Sequence, residues 1–300
     1  MRTFEPKPHQ INKSASVLSI PKFVNEGPHG TNFGIGTLDT MQLSVNGVEV
    51  FVATGGKSFD ESLPAVVFLH GAGFDHSVWA LHSRWFAHHG LGVLAPDLPG
   101  HGRSGGKPLP TIAAMADWTA ALLDSAGAKQ ARLIGHSMGS LIALETAARY
   151  PDKVSALGLI GTAAVMTVGP DLLKAAEAND VAAIDMVSIW GLGFAAELGG
   201  SLAPGLWMHQ GAQRMLQRCA AGVLYNDLAA CNSYHNALAA AAQVKVPVTF
   251  ILGERDMMTP AKAGKALAAA TPNARTIVLK GAGHMMMVEQ PDELLAALQP

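Results

Sequence analysis

One serine of this chain lies in a setting that could make it a nucleophile. It is the centre of Gly135-His136-Ser137-Met138-Gly139. The apolar run before it predicts a strand, and the pattern after it predicts a helix that ends before Pro151. A tight turn from strand to helix excludes side chains at the two glycines and presents the serine hydroxyl at the sheet edge. The pattern predicts an activated serine, and the alternative is an ordinary helix cap.

A base and an acid for this serine follow two later strands. His284 comes just after the last predicted strand, and Asp256 comes just after Val248–Leu252. An imidazole can take the serine proton, and a carboxylate can orient that imidazole. Because parallel strands end at one edge of a sheet, the order Ser, Asp, His predicts a triad of Ser137, Asp256 and His284. Taken alone, His284 could be a loop histidine and Asp256 a helix cap, and Glu254 is the rival acid.

The tetrahedral intermediate of acyl transfer needs two N–H donors. We expect them to be the backbone N–H groups of Met138, directly after the nucleophile, and of Ala72, in the loop after the first apolar strand. Gly71 and Gly73 would let that loop approach a ligand closely. His70 is interpreted as a residue that shapes the loop through hydrogen bonds.

Alternating strands and helices predict the scaffold that positions these groups. Asn46-Gly47 between two apolar segments predicts a hairpin. Beyond it, short continuous apolar runs alternate with amphipathic helices, which is typical of a parallel sheet covered on both faces. The predicted strands are Ala65–Leu69, Gly92–Ala95, Ala131–Gly135, Val154–Ile160, Val248–Leu252 and Arg275–Leu279.

The alternation divides the chain into three parts. Residues 1–40 are rich in Pro, Gly, Asn and Ser and predict an arm or flexible leader. Residues 41–161 and 244–300 predict the α/β core. Residues 162–243 lack strand patterns and predict an inserted helical lid, in which Met166 and Trp190 are candidates to line a substrate pocket. Glycines of this lid, including Gly191 and Gly193, suggest a flexible passage.

The composition restricts the function classes. A net charge of −2 gives no basic surface for nucleic acid or an anionic membrane. No apolar run is long enough to span a bilayer. Two cysteines, predicted to be buried apolar residues, fit a reducing cytoplasm.

Gly100, Gly102 and Gly105 match the letters of a dinucleotide-binding motif but not its structural context, since no helix begins at the second glycine. We expect no cofactor and no metal, with His82, His88 and His89 on the solvated or half-buried face of a helix.

Taken together, these motifs resemble the α/β-hydrolase superfamily over about residues 41–300. The segment Asp97–Ser104 is similar to the loop after the fourth strand of that family, and Gly283-His284 followed by Glu289-Gln290-Pro291 is similar to its final histidine segment. The resemblance implies an eight-stranded, mostly parallel sheet with a lid after the sixth strand. It also implies a serine carboxylesterase. The near-neutral charge favours a small to medium, neutral or apolar acyl substrate, and the sequence is compatible with a homodimer.

Departures from other members narrow the reaction. Dehalogenases and epoxide hydrolases of the superfamily have an aspartate where Ser137 stands. Relatives that hydrolyse carbon–carbon bonds usually have a tryptophan where Met285 stands. A lactonase or a carbon–carbon bond hydrolase using the same triad, and a non-catalytic ligand receptor on this fold, remain the alternatives.

Overall fold

The computed structural model describes residues 40–200 and 207–299, and an eight-stranded sheet lies at its centre. The strands are β1 Thr40–Val45, β2 Val48–Ala53, β3 Ala65–Leu69, β4 Gly92–Pro96, β5 Ala131–His136, β6 Val154–Ile160, β7 Val248–Gly253 and β8 Ala274–Leu279. Their order in space is β1-β2-β4-β3-β5-β6-β7-β8. β1 and β2 pair antiparallel and β2 pairs antiparallel with β4, whereas all other pairs are parallel. The predicted mostly parallel sheet is confirmed.

The hairpin that begins the sheet has the predicted turn. Asn46 and Gly47 have φ angles of 52° and 78°, the left-handed conformation that a two-residue hairpin requires. The turn brings Val45 opposite Val48 and so fixes the register of β1 against β2.

β3 shows why the central strands are continuously apolar. Every residue of β3 is buried. Val67 and Leu69 pack into one hydrophobic core, whereas Val66 and Phe68 pack into a second core on the opposite face. Because successive side chains alternate between faces and both faces are covered, no position is left for a polar residue.

Helices cover both faces of the sheet. α2 and α3 contribute to the first core, and α1 and α12 contribute to the second. None of the helices in the described ranges is long and apolar enough to cross a bilayer. The helices are α1 Ala80–His88, α2 Ile112–Ser125, α3 Met138–Arg149, α4 Pro170–Glu177, α5 Val181–Trp190, α6 Phe194–Glu197, α7 Met208–Arg218, α8 Val223–Ser233, α9 Ala237–Gln243, α10 Ala261–Ala269, α11 Met286–Glu289 and α12 Pro291–Leu298.

Residues 162–243, called the inserted segment below, lie between β6 and β7. Their described part contains α4 to α9 and no strand, as the sequence predicts. Its function as a lid stays a prediction. The predicted arm over residues 1–40 lies outside the described residues, except that Thr40 already belongs to β1.

His82 differs from the prediction for its helix. His88 and His89 are exposed, but His82 is buried, and its Nε2 lies 3.2 Å from the carbonyl oxygen of Pro291. The spacing of residues within α1 could not predict this burial, because the contact comes from α12, near the end of the chain. Burial lowers the pKa of His82 to about 4.

Candidate active site

Ser137 occupies a strained turn between β5 and α3. Its φ and ψ are 52° and −119°, a region that residues with side chains rarely adopt. Its N–H donates to the carbonyl of Ile160 at 2.9 Å, which fixes the turn to the neighbouring strand. A Cβ at Gly135 would overlap the Gly139 carbonyl, and a Cβ at Gly139 would overlap the Leu69 carbonyl. The geometry explains why both positions are glycine and leaves the Ser137 side chain half-buried at the carboxyl edge.

Asp256 and His284 form a buried hydrogen-bonded pair at the same edge. The Nδ1 atom of His284 lies 2.8 Å from Oδ2 of Asp256. Because a carboxylate only accepts, Nδ1 carries the proton and Nε2 of a neutral ring is left as the basic atom. Burial raises the pKa of Asp256, but the nearby imidazole and the hydrogen bonds from His284 and Thr259 outweigh it, so the pKa lies below its ordinary value. Asp256 is thus held ionised beside the imidazole.

Thr259 is a member of this pair's surroundings that sequence reasoning missed. Its hydroxyl donates to Oδ2 of Asp256 at 2.7 Å and lies 3.2 Å from Nδ1 of His284. The other carboxylate oxygen, Oδ1, accepts from the N–H groups of Met258 and Thr259 at 2.9 and 2.7 Å. A threonine three residues after an aspartate is a weak sequence signal, since the same spacing serves many turns.

The loop that carries His284 is held from two sides. The Gly191 carbonyl accepts from the N–H groups of His284 and Met285 at 3.1 and 2.8 Å. On the other side, Nε2 of His136 donates to the His284 carbonyl at 2.9 Å. Burial and the nearby His284 ring lower the pKa of His136 to about 3, so His136 is a neutral donor. No sequence pattern distinguishes His136, which is the variable residue of the serine motif.

Glu289 has a structural role that the sequence did not reveal. It is buried, and its Oε2 accepts from the N–H groups of Gly193 and Gly283, each at 2.9 Å. Burial raises the pKa of Glu289 despite these bonds. Gly193 and Gly191 therefore have packing reasons to be glycine: a Cβ at Gly193 would lie 2.9 Å from Glu289, and one at Gly191 would lie 2.7 Å from the Val187 carbonyl oxygen. Neither reason was expected from the idea of a flexible passage.

The predicted oxyanion donors lie beside Ser137. The N–H of Met138 begins α3, and Ala72 lies in the loop after β3 that lines the same cavity as Ser137. No described residue accepts a hydrogen bond from either N–H. Both N–H groups stay candidates for binding the oxyanion, and their catalytic role stays a prediction.

The loop around Ala72 is fixed by close contacts. His70 is buried; its Nδ1 donates to the Gly71 carbonyl at 2.9 Å and its Nε2 accepts from the N–H of Leu98 at 3.1 Å. His70 thus shapes the loop, as predicted. The reason for Gly73 differs from the expected approach to a ligand. Its φ is +69°, and a Cβ would lie 2.9 Å from Leu224 of α8, so the glycine permits close packing of the inserted segment.

A cavity of about 210 Å³ connects these groups. Ser137, His284 and Ala72 line it, together with the predicted pocket residues Met166 and Trp190. Met166 is buried, whereas Trp190 is 38% exposed at the rim. Its other walls are mostly apolar, and no Asp, Glu, Lys or Arg of the described residues lines it. The cavity suits an uncharged group next to the serine.

Asp75, His76 and Asp97 form the one cluster of metal-ligating side chains found in the described ranges. Oδ1 of Asp97 accepts a hydrogen bond from the backbone N–H of His76 and lies 2.7 Å from Nδ1 of the same residue. The other oxygen of Asp97, Oδ2, accepts from the N–H of Arg103. Asp75 accepts from Ser77 and from Arg218. The atoms that could bind a metal therefore already make hydrogen bonds within the protein. These bonds hold the loops in place and account for the cluster.

Comparison with known proteins gives a consistent set of relatives. A family model described as "Alpha/beta hydrolase family" matches residues 66–298. A pimeloyl-[acyl-carrier protein] methyl ester esterase of Chromobacterium violaceum is 30% identical over 267 residues, covering 84% of this chain and 97% of the relative. The enzyme of that name from Neisseria meningitidis serogroup B is 29% identical over 257 residues, covering 80% and 93%.

Solved structures agree with the family match. An enol-lactonase from Burkholderia xenovorans superposes with a TM-score of 0.75 at 23% identity, covering 86% of this chain and 98% of that one. A thermophilic esterase superposes with a TM-score of 0.70 at 26% identity, covering 87% and 96%. The first likeness, below 25% identity, concerns the fold alone.

Proposed function

The chain belongs to the α/β-hydrolase family, and from this premise we propose that it is a serine carboxylesterase with Ser137, His284 and Asp256 as its catalytic triad. Esterases among its relatives support the cleavage of ester bonds. The observation that carries the proposal is the buried bond of 2.8 Å between His284 and Asp256 at the cavity that Ser137 lines.

The proposed reaction is a two-step acyl transfer. Nε2 of His284 takes the proton of Ser137 as the serine oxygen attacks the ester carbonyl. The N–H groups of Ala72 and Met138 stabilise the oxyanion, and the ionised Asp256 stabilises the imidazolium. His284 then protonates the leaving alcohol. Water repeats the sequence on the acyl-enzyme, releasing the acid and restoring the serine hydroxyl.

We further propose a small to medium, neutral or apolar acyl group as substrate. The cavity of about 210 Å³ is smaller than the roughly 300 Å³ at the lower end of pockets for drug-sized ligands. Its lining offers no described cation for an anionic group. Methyl esters are good first candidates because relatives are named as methyl ester esterases. The reaction would take place in the cytoplasm, which agrees with Cys219 and Cys231 both being free thiols.

The test compares Ser137→Ala with a matched serine variant. Ser188→Ala removes a buried hydroxyl of α5 that has no described partner and does not line the cavity. On p-nitrophenyl butyrate, we expect kcat of Ser137→Ala to fall at least about 10³-fold, with an unchanged fold. Ser188→Ala should keep wild-type activity. A Ser137→Ala protein as active as the wild type would end the proposal.

Two further measurements separate the alternatives. A fluorophosphonate probe followed by mass spectrometry should find the label on Ser137, and an unlabelled serine would favour a receptor. Assays of a methyl ester, a lactone and a vinylogous diketone side by side distinguish an esterase, a lactonase and a carbon–carbon bond hydrolase. We expect the methyl ester to have the highest kcat/KM.

A further inference from the structure

A buried ion pair lies behind the loop that carries Ala72. Asp227 of α8 and His101 of the loop after β4 are 0% and 1% exposed. Nε2 of His101 lies 2.7 Å from Oδ2 of Asp227, and its Nδ1 lies 3.1 Å from the Pro99 carbonyl oxygen. Both neighbours only accept hydrogen bonds, so the ring makes both bonds only as an imidazolium. His101 and Asp227 therefore form a charged pair that is shielded from solvent.

The surroundings of His101 favour this charge state. Burial lowers the pKa of His101, but the Asp227 carboxylate, the Pro99 carbonyl and the more distant Asp97 reverse the effect, and the pKa lies above its ordinary value. The His70 ring is 4.9 Å away. It is neutral, because burial and the His101 charge lower the pKa of His70 to about 4.

Asp227 also holds the loop after β3, which carries Ala72 and is called the oxyanion loop below. Its Oδ2 accepts the N–H of Gly73 at 2.9 Å, next to the peptide that bears the predicted donor Ala72. Its Oδ1 lies 3.3 Å from Nδ2 of Asn226. Asp227 thus joins the inserted segment, the loop after β4 and the loop after β3 through one carboxylate.

Stability alone does not account for this arrangement. A buried ion pair adds little or nothing to stability compared with apolar side chains of similar volume. Its physical effect here is directional: the carboxylate fixes where the Gly73 N–H points, and His101 fixes the carboxylate. Small errors in donor position strongly reduce transition-state stabilisation.

We propose that Asp227, held by His101, is a positioning residue that aims the Ala72 N–H at the developing oxyanion. The inference rests on the proposed function, since it takes Ser137 as the nucleophile and Ala72 as a donor. Asp227 does not touch the reacting atoms; it acts through the backbone of the loop after β3.

The test is Asp227→Asn, which keeps the size of the side chain and removes its charge. Because Oδ2 accepts from both His101 and Gly73, an amide oxygen in its place keeps these bonds but removes the charge that holds the His101 imidazolium. It also turns the amide NH2 group toward Nδ2 of Asn226, a second donor. We expect kcat on p-nitrophenyl butyrate to fall about 10- to 100-fold, below the 10²- to 10³-fold loss of a whole oxyanion donor, while KM changes less than about threefold. A trifluoromethyl ketone, whose adduct with Ser137 carries the oxyanion, should bind more weakly by a similar factor.

Asp185→Asn is the matched control. Asp185 is a half-buried acid of α5 that accepts from Gln213 and does not contact the oxyanion loop. It should leave kcat and ketone binding unchanged. Urea unfolding of both variants checks the fold, and kcat is expressed per fluorophosphonate-reactive serine. A structural defect alone would lower the reactive fraction or the urea midpoint, with kcat per reactive serine unaltered.

Three outcomes would refute the positioning role of Asp227. If Asp227→Asn keeps kcat and ketone affinity within twofold while Ser137→Ala is inactive, Asp227 has no positioning role and the esterase proposal stands. If Ser137→Ala retains activity, the esterase proposal and this inference fail together. Should Asp227→Asn not fold, His101→Gln keeps a donor to Asp227 without the charge. It should lower kcat at least about threefold, and an unchanged kcat would refute the role.

Discussion

Gly161, the first residue after β6, lies directly beside the pair of Asp256 and His284. Its φ is +56°, and its N–H donates to the Ile251 carbonyl at 3.0 Å, which fixes its place in the sheet. A Cβ there would lie 3.0 Å from both Cε1 and Nδ1 of His284 and 3.5 Å from Oδ2 of Asp256. Gly161→Ala therefore adds one methyl group, and this group lies against the imidazole.

The expected effects have two separable parts. A non-glycine residue in the left-handed region costs about 1–2 kcal/mol of unfolding free energy. The contact of 3.0 Å is tighter than ordinary van der Waals contact, so the His284 ring must shift by a few tenths of an ångström. Since a misplacement of 1 Å can reduce the rate about 10²-fold, we expect kcat to fall about tenfold.

Gly90→Ala separates these parts. Gly90 has a φ of +84°, and a Cβ there would meet nothing within 4 Å. It should show the same loss of stability in urea unfolding and a wild-type kcat. Steady-state assays of p-nitrophenyl butyrate on the two variants and the wild type give the comparison. If Gly161→Ala had a kcat within twofold of Gly90→Ala, the position of the His284 ring would not limit catalysis as the structure implies.

Three other variants test the site and its surroundings. Thr259→Val removes a hydrogen bond to the Asp256 carboxylate and should lower the unfolding free energy by about 1.5–3 kcal/mol at pH 7. Because the folded pKa of Asp256 is lowered, its contribution is lost as the pH falls from the unfolded pKa through the folded pKa, and the loss should be complete at a higher pH in the variant; an unaltered acid transition contradicts this. His82 stays neutral when folded but takes up a proton below about pH 6.5 when unfolded. His82→Phe should therefore remove about 1.4 kcal/mol per pH unit from the slope of stability between pH 6.5 and about 4, and an equal slope in urea titrations would count against it. Val187→Phe narrows the cavity and should reduce kcat/KM for hexanoyl esters more than for acetyl esters; a uniform loss would argue that the acyl group binds elsewhere.

The fold could be predicted because its determinants are local. The predicted strands are short and mostly apolar, and their bounds in the structure differ from the predictions by a residue at most. The turn at Asn46-Gly47 follows from the conformations that those two residues tolerate. Ser137 and Asp256 each follow a recognisable strand, so parallel topology brings them to one edge without knowledge of side-chain contacts.

Residues that act between distant segments could not be predicted in this way. Asp227 lies in a helix whose spacing indicates only amphipathic packing, and its partner His101 is 126 residues away. Glu289 accepts from Gly193, 96 residues away. A carboxylate in either position has the same local pattern whether it faces water or a buried N–H. Only the packing of the inserted segment on the core distinguishes these cases.

The inserted segment contributes to both halves of the candidate site. On one side, Asp227 holds the loop of the predicted oxyanion donor through the Gly73 N–H. On the other side, the Gly191 carbonyl accepts from the N–H groups of His284 and Met285. The same segment supplies cavity walls such as Met166 and Trp190. If the proposed triad is catalytic, substitutions in this segment should change turnover through the position of the triad and the oxyanion donors, and substrate choice through the shape of the cavity. For this reason the α/β core and the inserted segment are not separable modules for chemistry and specificity.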